Sequence, residues 1–230
     1  MIFFGRKFLT LMTFFSIFLI EAKVYKKSDS KIKKYKTLQE KKDLFQSVGC
    51  FYSNIMKIDK NVELAPPYQT QYFKDNEKNV LELSEKYRKD VERKKLAPMY
   101  LEFISPSVGY GIKASDLIKE GDFIGIYAGI LRDIRWNDPK FKEDLDYAWY
   151  YTVPDKKDKN IIIDGKHEGN ELRFINHATH PNTKRIDVII NNMFYVCYVA
   201  IKNIAKNEEL TVSYGEGYWN SRGVTPESLN

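Results

Sequence analysis

The sequence predicts an α+β chain, predominantly β, in which a helical segment precedes one β-rich domain. Three observations predict it. After Pro98 the residues fall into short apolar runs split by Gly, Asn and charged turns, the pattern of small sheets. Before Pro98, Val80, Leu83, Tyr87 and Val91 recur at spacings of three and four between charges, the stripe of an amphipathic helix. A hydrophobic fraction of 43% and an aromatic fraction of 14% over 230 residues suffice for one core and exclude a disordered chain.

Residues 1–22 read as a leader: Arg6 and Lys7 precede an apolar run from Phe8 to Ile20, short for a membrane span, and Ala22 offers a small residue for cleavage. A signal peptide is the first reading and predicts a secreted protein with no stable membrane span. An uncleaved leader, which would leave the protein membrane-anchored, and a later start such as Met12 stay open. Residues 23–97 form a basic, partly helical region, its main helix running from Asn76 to Lys95 and ended by Pro98. Residues 98–220 form the β-rich domain, with strands at Tyr100 to Ile104, Phe123 to Tyr127, Asp146 to Val153, Asn160 to Asp164, Val188 to Ile190, Phe194 to Ala200 and Glu209 to Tyr214, and a helical turn from Trp136 to Asp144. Residues 221–230 are a tail. Ala114, Ile118, Gly121 and Ile124 recur at identical spacing as Ala200, Ile204, Asn207 and Leu210, each set reading as strand, turn and strand. Gly and Asn at equivalent turns mark a positive φ.

The net charge of +6 is uneven: residues 23–97 hold 19 Lys and Arg against 11 Asp and Glu, and residues 98–230 hold 16 against 19. A mildly acidic domain suits a basic substrate. The basic region could contact nucleic acid or anionic lipid, although Lys-rich helices are more often plain solvated faces. Two cysteines, Cys50 and Cys197, exclude a disulfide framework and a Cys zinc cluster. Cys197 lies in an apolar run and reads as a core thiol.

Four short patterns carry the chemistry. They are Gly109-Tyr110-Gly111, Tyr127-Ala128-Gly129, Arg173-Phe174-Ile175-Asn176-His177 with Pro181-Asn182, and Glu209 to Gly215 around Tyr214. Each alone is weak; their order and spacing together are specific. On these motifs residues 98–220 resemble the SET-domain protein-lysine methyltransferases, and the Val-Gly-Tyr-Gly opening and Tyr-Gly-x-x-Tyr-Trp ending resemble the SET proteins of intracellular, chlamydia-like bacteria most. The resemblance implies a SET-domain fold of small sheets in which the third and fourth motifs form a pseudo-knot beside the active site. It also implies S-adenosylmethionine as cofactor.

By that resemblance Tyr214 matches the catalytic Tyr and Tyr127 a wall of the lysine channel, with Tyr147, Tyr151 and Val212 as further channel candidates. Val212 stands where the family often carries the Phe or Tyr that limits how many methyls are added. Gly109, Tyr110 and Gly111 match the cofactor's methionine end, Arg173, Asn176 and His177 the motif whose Asn and His grip it, and Tyr218 or Trp219 could stack on adenine. The family's terminal zinc cluster has no counterpart here, and Tyr218-Trp219 is expected in its place. His177 and His180 lie in a turn without a carboxylate partner, so no metal is expected.

The expected function is transfer of methyl from S-adenosylmethionine to a Lys of a basic protein, with host histones as the candidate substrate and the producing cell's own basic nucleoid proteins as the alternative. The alternative is a degenerate SET domain that only binds, its basic arm holding nucleic acid or a membrane. Export of an enzyme that needs a cytosolic cofactor points to delivery into a host cytoplasm or nucleus.

Overall fold

The computed structural model describes residues 32–134, 145–151, 160–220 and Gly223. The expected leader, the helical turn at 136–144, the end of the strand at 153 and most of the tail lie outside them. Among the described residues no helix is long and apolar enough to cross a membrane.

The chain before Pro98 is woven into the sheets. Strand β1 (Lys34–Tyr35) pairs with β4 (Met99–Ser105), which pairs with β5 (Gly109–Ala114). Helix α1 (Leu38–Ser47) starts at a capping box: Thr37 accepts from the Glu40 N–H while the Glu40 carboxylate accepts from the Thr37 N–H. Strand β2 (Phe51–Tyr52) pairs in parallel with β10 (Glu168–Gly169), and β3 (Lys57–Ile58) with β7 (Ile130–Ile134). Strands β1, β2 and β3 are each two residues long, below what an alternation pattern can reveal.

Helix α2 (Gln71–Glu92) begins five residues before the expected start because Thr70 caps it, its hydroxyl accepting from the Phe73 N–H. It stops ahead of Pro98 because Lys94 takes a positive φ of 51°. Its apolar stripe lies on one face of the sheet formed by β12 (Thr183–Ile190), β13 (Met193–Ala200) and β6 (Phe123–Ile126), where Tyr87 and Val91 join Phe123, Val188, Cys197 and Val199 in a small second core. The opposite face of that sheet belongs to the main core with Val196, Tyr198 and Ala200. The buried thiol of Cys197 is where the apolar run placed it.

A four-stranded sheet runs β3, β7, β9 (Asn160–Asp164), β8 (Ala148–Tyr150). The two echoed segments pack on one another with paired bonds: Gly121 N–H donates to Ala200 C=O and Asn207 N–H to Ala114 C=O, while Ile118 and Ile204 exchange both backbone bonds. The Asp122 and Glu208 carboxylates close equivalent turns onto the N–H groups of Lys119 and Ala205. Gly121 and Asn207 have φ of 81° and 68°. This paired unit brings the chain after Asn207 back beside the Asn176 motif. There β11 (Asn176–His177) and β14 (Thr211–Val212) run parallel, Asn176 opposite Thr211.

Candidate active site

Asn170, fully buried, sets the site's position. Its side-chain Oδ1 accepts from the Leu172 N–H and caps the short 3-10 turn Glu171–Phe174, while its Nδ2 donates to the Ile126 carbonyl and so ties that turn to β6. From the turn the chain runs as Ile175 and β11 along β14. Asn182 holds β14 from the other side: its Oδ1 accepts the Thr211 N–H at 2.8 Å and its Nδ2 donates to the Glu209 carbonyl at 2.7 Å. Tyr214, just beyond β14, is then fixed twice. Its N–H donates to His177 Nδ1 at 3.1 Å and its hydroxyl donates to the Ile175 carbonyl at 2.7 Å.

In front of Tyr214 opens a cleft of about 250 Å³ lined by Tyr127, Trp149, Ile162, Leu172, Ile175 and Tyr214, with Asp146 and Tyr218 also on its walls. The Trp149 ring stands edge-on to those of Tyr127, Tyr198 and Tyr214 at 6.5, 6.1 and 6.3 Å. Burial pushes the phenols of Tyr127 and Tyr214 above the ordinary tyrosine range, so both stay protonated and neither is a base at neutral pH. The Tyr127 hydroxyl donates to the Tyr147 carbonyl at 2.6 Å. On helix α3 (Glu216–Asn220), Tyr218 packs edge-on to Tyr214 and donates to Asp146 at 3.4 Å across the cleft.

The proposed cofactor residues divide into two groups. Asn176 and His177 meet the Gly-Tyr-Gly strand: Asn176 Nδ2 donates to the Tyr110 carbonyl at 3.3 Å and to the Glu209 carboxylate at 2.8 Å. Gly111 lies against that pair, where a Cβ would come within 2.7 Å of Glu209 Oε1 and 2.9 Å of Asn176 Nδ2. Gly109 turns the chain with φ of 78°. Arg173 does something else. Its guanidinium donates to the carbonyls of Gly165 and Lys166 and stacks at 3.9 Å on the Tyr147 ring, clamping the turn after β9. The Tyr110 ring is a packing element among Tyr35, Phe103 and Phe174, so only its backbone faces Asn176.

Three channel candidates stand apart from the cleft lining. Tyr151 is buried, its hydroxyl donating to the Phe194 carbonyl and accepting from the Phe194 N–H, both at 3.0 Å. Val212 is buried on β14 opposite His177, its carbonyl accepting from the Ala178 N–H. Tyr147 contributes a carbonyl to Tyr127 and a ring face to Arg173. The residue that does line the cleft is Trp149, which the sequence reading passed over. It lies on β8 between the two tyrosines that the resemblance pointed to.

Because His177 Nδ1 accepts from Tyr214, the neutral ring carries its proton on Nε2. Burial holds the His177 pKa below its ordinary value, favouring that neutral form. His177 Nε2 and Trp219 Nε1 are both buried without a hydrogen-bond partner among the described residues, and the two rings lie 4.9 Å apart. Two unpaired donors side by side suit a ligand rich in acceptors. No group of three or more His, Cys, Asp or Glu that could hold a metal occurs among the described residues.

Parallel crossing strands that present a tyrosine and an Asn-His pair beside an aromatic cleft, on a scaffold of small sheets, form a SET-domain fold. Residues 109–215 match the family model described as SET domain, and the chain carries such a domain with histone-lysine methyltransferases among its homologues. It is 32% identical over 120 residues to histone-lysine N-methyltransferase EZH2 of Chaetomium thermophilum, covering 49% of this chain and 8% of that protein. It is 33% identical over 112 residues to putative histone-lysine N-methyltransferase ASHH4 of Arabidopsis thaliana, covering 46% of this chain and 30% of that protein. The match therefore spans under a third of either relative. Among solved structures, ATXR5 in complex with histone H3.1 mono-methylated on R26 superposes with a TM-score of 0.59 at 21% identity, covering 76% of this chain and 85% of that one. The Neurospora protein DIM-5, a histone lysine methyltransferase, superposes with a TM-score of 0.55 at 19% identity, covering 73% and 90%.

Proposed function

We propose that the protein is an S-adenosylmethionine-dependent protein-lysine N-methyltransferase acting on a basic, histone-like protein. The observation that carries this reading is the double anchoring of Tyr214 at the wall of an aromatic cleft. Its O–H is spent on the Ile175 carbonyl, which leaves the oxygen lone pairs to accept an N–H of an incoming amine and orient its nitrogen. S-adenosylmethionine, when bound, supplies a methyl on a sulfonium sulfur that departs as a neutral thioether. His177 Nε2, Trp219 Nε1 and the Asn176 motif are the groups that would hold it, with Tyr218-Trp219 beside them. A lysine amine has a pKa near ~10.4 in water, and the rings of Tyr127 and Trp149 with Ile162 disfavour its charged form by excluding water. The protonated phenols of Tyr127 and Tyr214 act as hydrogen-bonding walls, so activation rests on desolvation and orientation.

A histone-like substrate is supported by the acidic balance of residues 98–230 and by relatives described as histone methyltransferases. The hydrophobic leader supports the further proposal that the enzyme leaves the cell that makes it and works in a host cytoplasm or nucleus. The test is incubation of the protein with labelled S-adenosylmethionine and core histones. Label on histone lysine is expected; its absence from histones and from host lysate overturns the reading.

A further inference from the structure

Trp149 stands on β8, the three-residue edge of its sheet, which pairs only with β9 among the described residues. A short edge strand fixes a side chain weakly, so the orientation of a ring that lines the cleft depends on what packs against it. The Tyr127, Tyr198 and Tyr214 rings meet it edge-on. A cation also lies on it: the Arg185 guanidinium sits 5.8 Å from the centre of the Trp149 ring.

Arg185 is itself held in place. Its Nε and Nη2 donate to Asp187 Oδ1 at 3.1 and 2.8 Å, and Asp187 Oδ2 accepts the Tyr72 hydroxyl at 2.9 Å. Arg185 and Asp187 are two residues apart on β12 and share a sheet face. Tyr72 belongs to the first turn of α2, where its ring meets Phe194 edge-on. Burial and the Asp187 carboxylate push the Tyr72 phenol above the ordinary range, so it stays a donor. With Arg185 still partly exposed, the ion pair by itself contributes little to stability. What the guanidinium adds is geometry: its edge satisfies a carboxylate while its face meets an indole, which a lysine cannot do.

We propose, on the basis of the methyltransferase reading, that Arg185 is a positioning residue for methyl transfer. Held by Asp187 and Tyr72, it fixes the Trp149 ring as a wall of the lysine channel, and so makes the first turn of α2 part of the active site's support. It touches neither substrate nor cofactor and adds no chemical step. Its effect is on alignment: a Trp149 ring free to tilt leaves the amine less well directed at the methyl, which lowers the rate once substrate is bound. Binding of S-adenosylmethionine, whose proposed ligands lie around His177 and Trp219, is untouched.

The experiment measures kcat on core histones, KM for S-adenosylmethionine and thermal melting for the full chain and its variants. Arg185→Met is expected to lower kcat about tenfold per folded molecule with KM for S-adenosylmethionine unchanged. Tyr72→Phe, which removes one hydroxyl at the far end of the relay and leaves β12 intact, is expected to lower kcat two- to threefold in the same way. On a Trp149→Phe background, whose smaller ring binds a cation less well, Arg185→Met should cost clearly less. Wild-type kcat in both Arg185→Met and Tyr72→Phe overturns the proposal. So does an equal cost of Arg185→Met on the Trp149→Phe background, since Arg185 would then not act through Trp149. Absence of labelling by the wild type would instead overturn the methyltransferase reading, which keeps the two failures distinct.

Discussion

Two buried polar clusters lie on either side of the 3-10 turn Glu171–Phe174, and they are finished differently. On one side the Glu171 carboxylate, 0% exposed, accepts from Lys41 Nζ at 2.7 Å and from the Tyr52 hydroxyl at 3.1 Å on both oxygens. Burial and the neighbouring carboxylate push the Tyr52 phenol above its ordinary range, so it remains a donor. On the other side Arg173 Nη1, His177 Nε2, Tyr198 Oη and Trp219 Nε1 are buried without partners among the described residues. A saturated cluster holds elements together; an unsaturated one is arranged for something that comes and goes. The first joins α1 and β2 to the domain. In the second, the His177 and Trp219 rings pack against Tyr214.

The comparison breaks if the two clusters respond alike to mutation. The largest effect on stability is expected at Lys41→Met, which strands a buried carboxylate: a loss of about 3–5 kcal/mol in urea unfolding, with labelling per folded molecule little changed. Smaller is Tyr52→Phe, which removes one donor while Lys41 stays, at about 1–2 kcal/mol by the same measurement. Smaller still is the acid response of His177. Its depressed pKa means the unfolded state binds more protons between the depressed and the ordinary histidine values, so stability and Tyr214 alignment rise with pH there and fall as acid protonates Nδ1, the acceptor for the Tyr214 N–H. A pH–rate profile should show an acid limb that His177→Asn, whose Oδ1 can accept the same bond without titrating, moves or abolishes.

Legibility in the sequence followed element length and side-chain chemistry. Strand β9 is found at its expected limits because Ile161, Ile162 and Ile163 admit little else. Strand β12 extends five residues before the expected Val188: Lys184, Arg185 and Asp187 look like a loop until Arg185 pairs with Asp187 and Tyr72 donates to Asp187. Strands β5 and β7 were hidden by the Gly residues in or beside them. The region before Pro98 reads in sequence as a basic arm, but β1, β2 and β3 join three sheets, and Lys34 and Lys36 lie over the Tyr100 ring. Those pairings depend on partners more than 60 residues away, which no local pattern reports. Tyr214, Asn176 and His177 were legible as motif positions and lie together in the fold. Trp149 was not, since an aromatic residue in a β-rich chain signals packing until its neighbours are known.

The most direct test of the account is Tyr214→Phe, which removes one oxygen and keeps the ring. Labelling of core histones should fall by at least about 100-fold, since the amine loses the group that orients it, while the melting temperature drops by only the few degrees that one hydrogen bond to Ile175 supplies. Labelling equal to wild type in the Phe variant would contradict it.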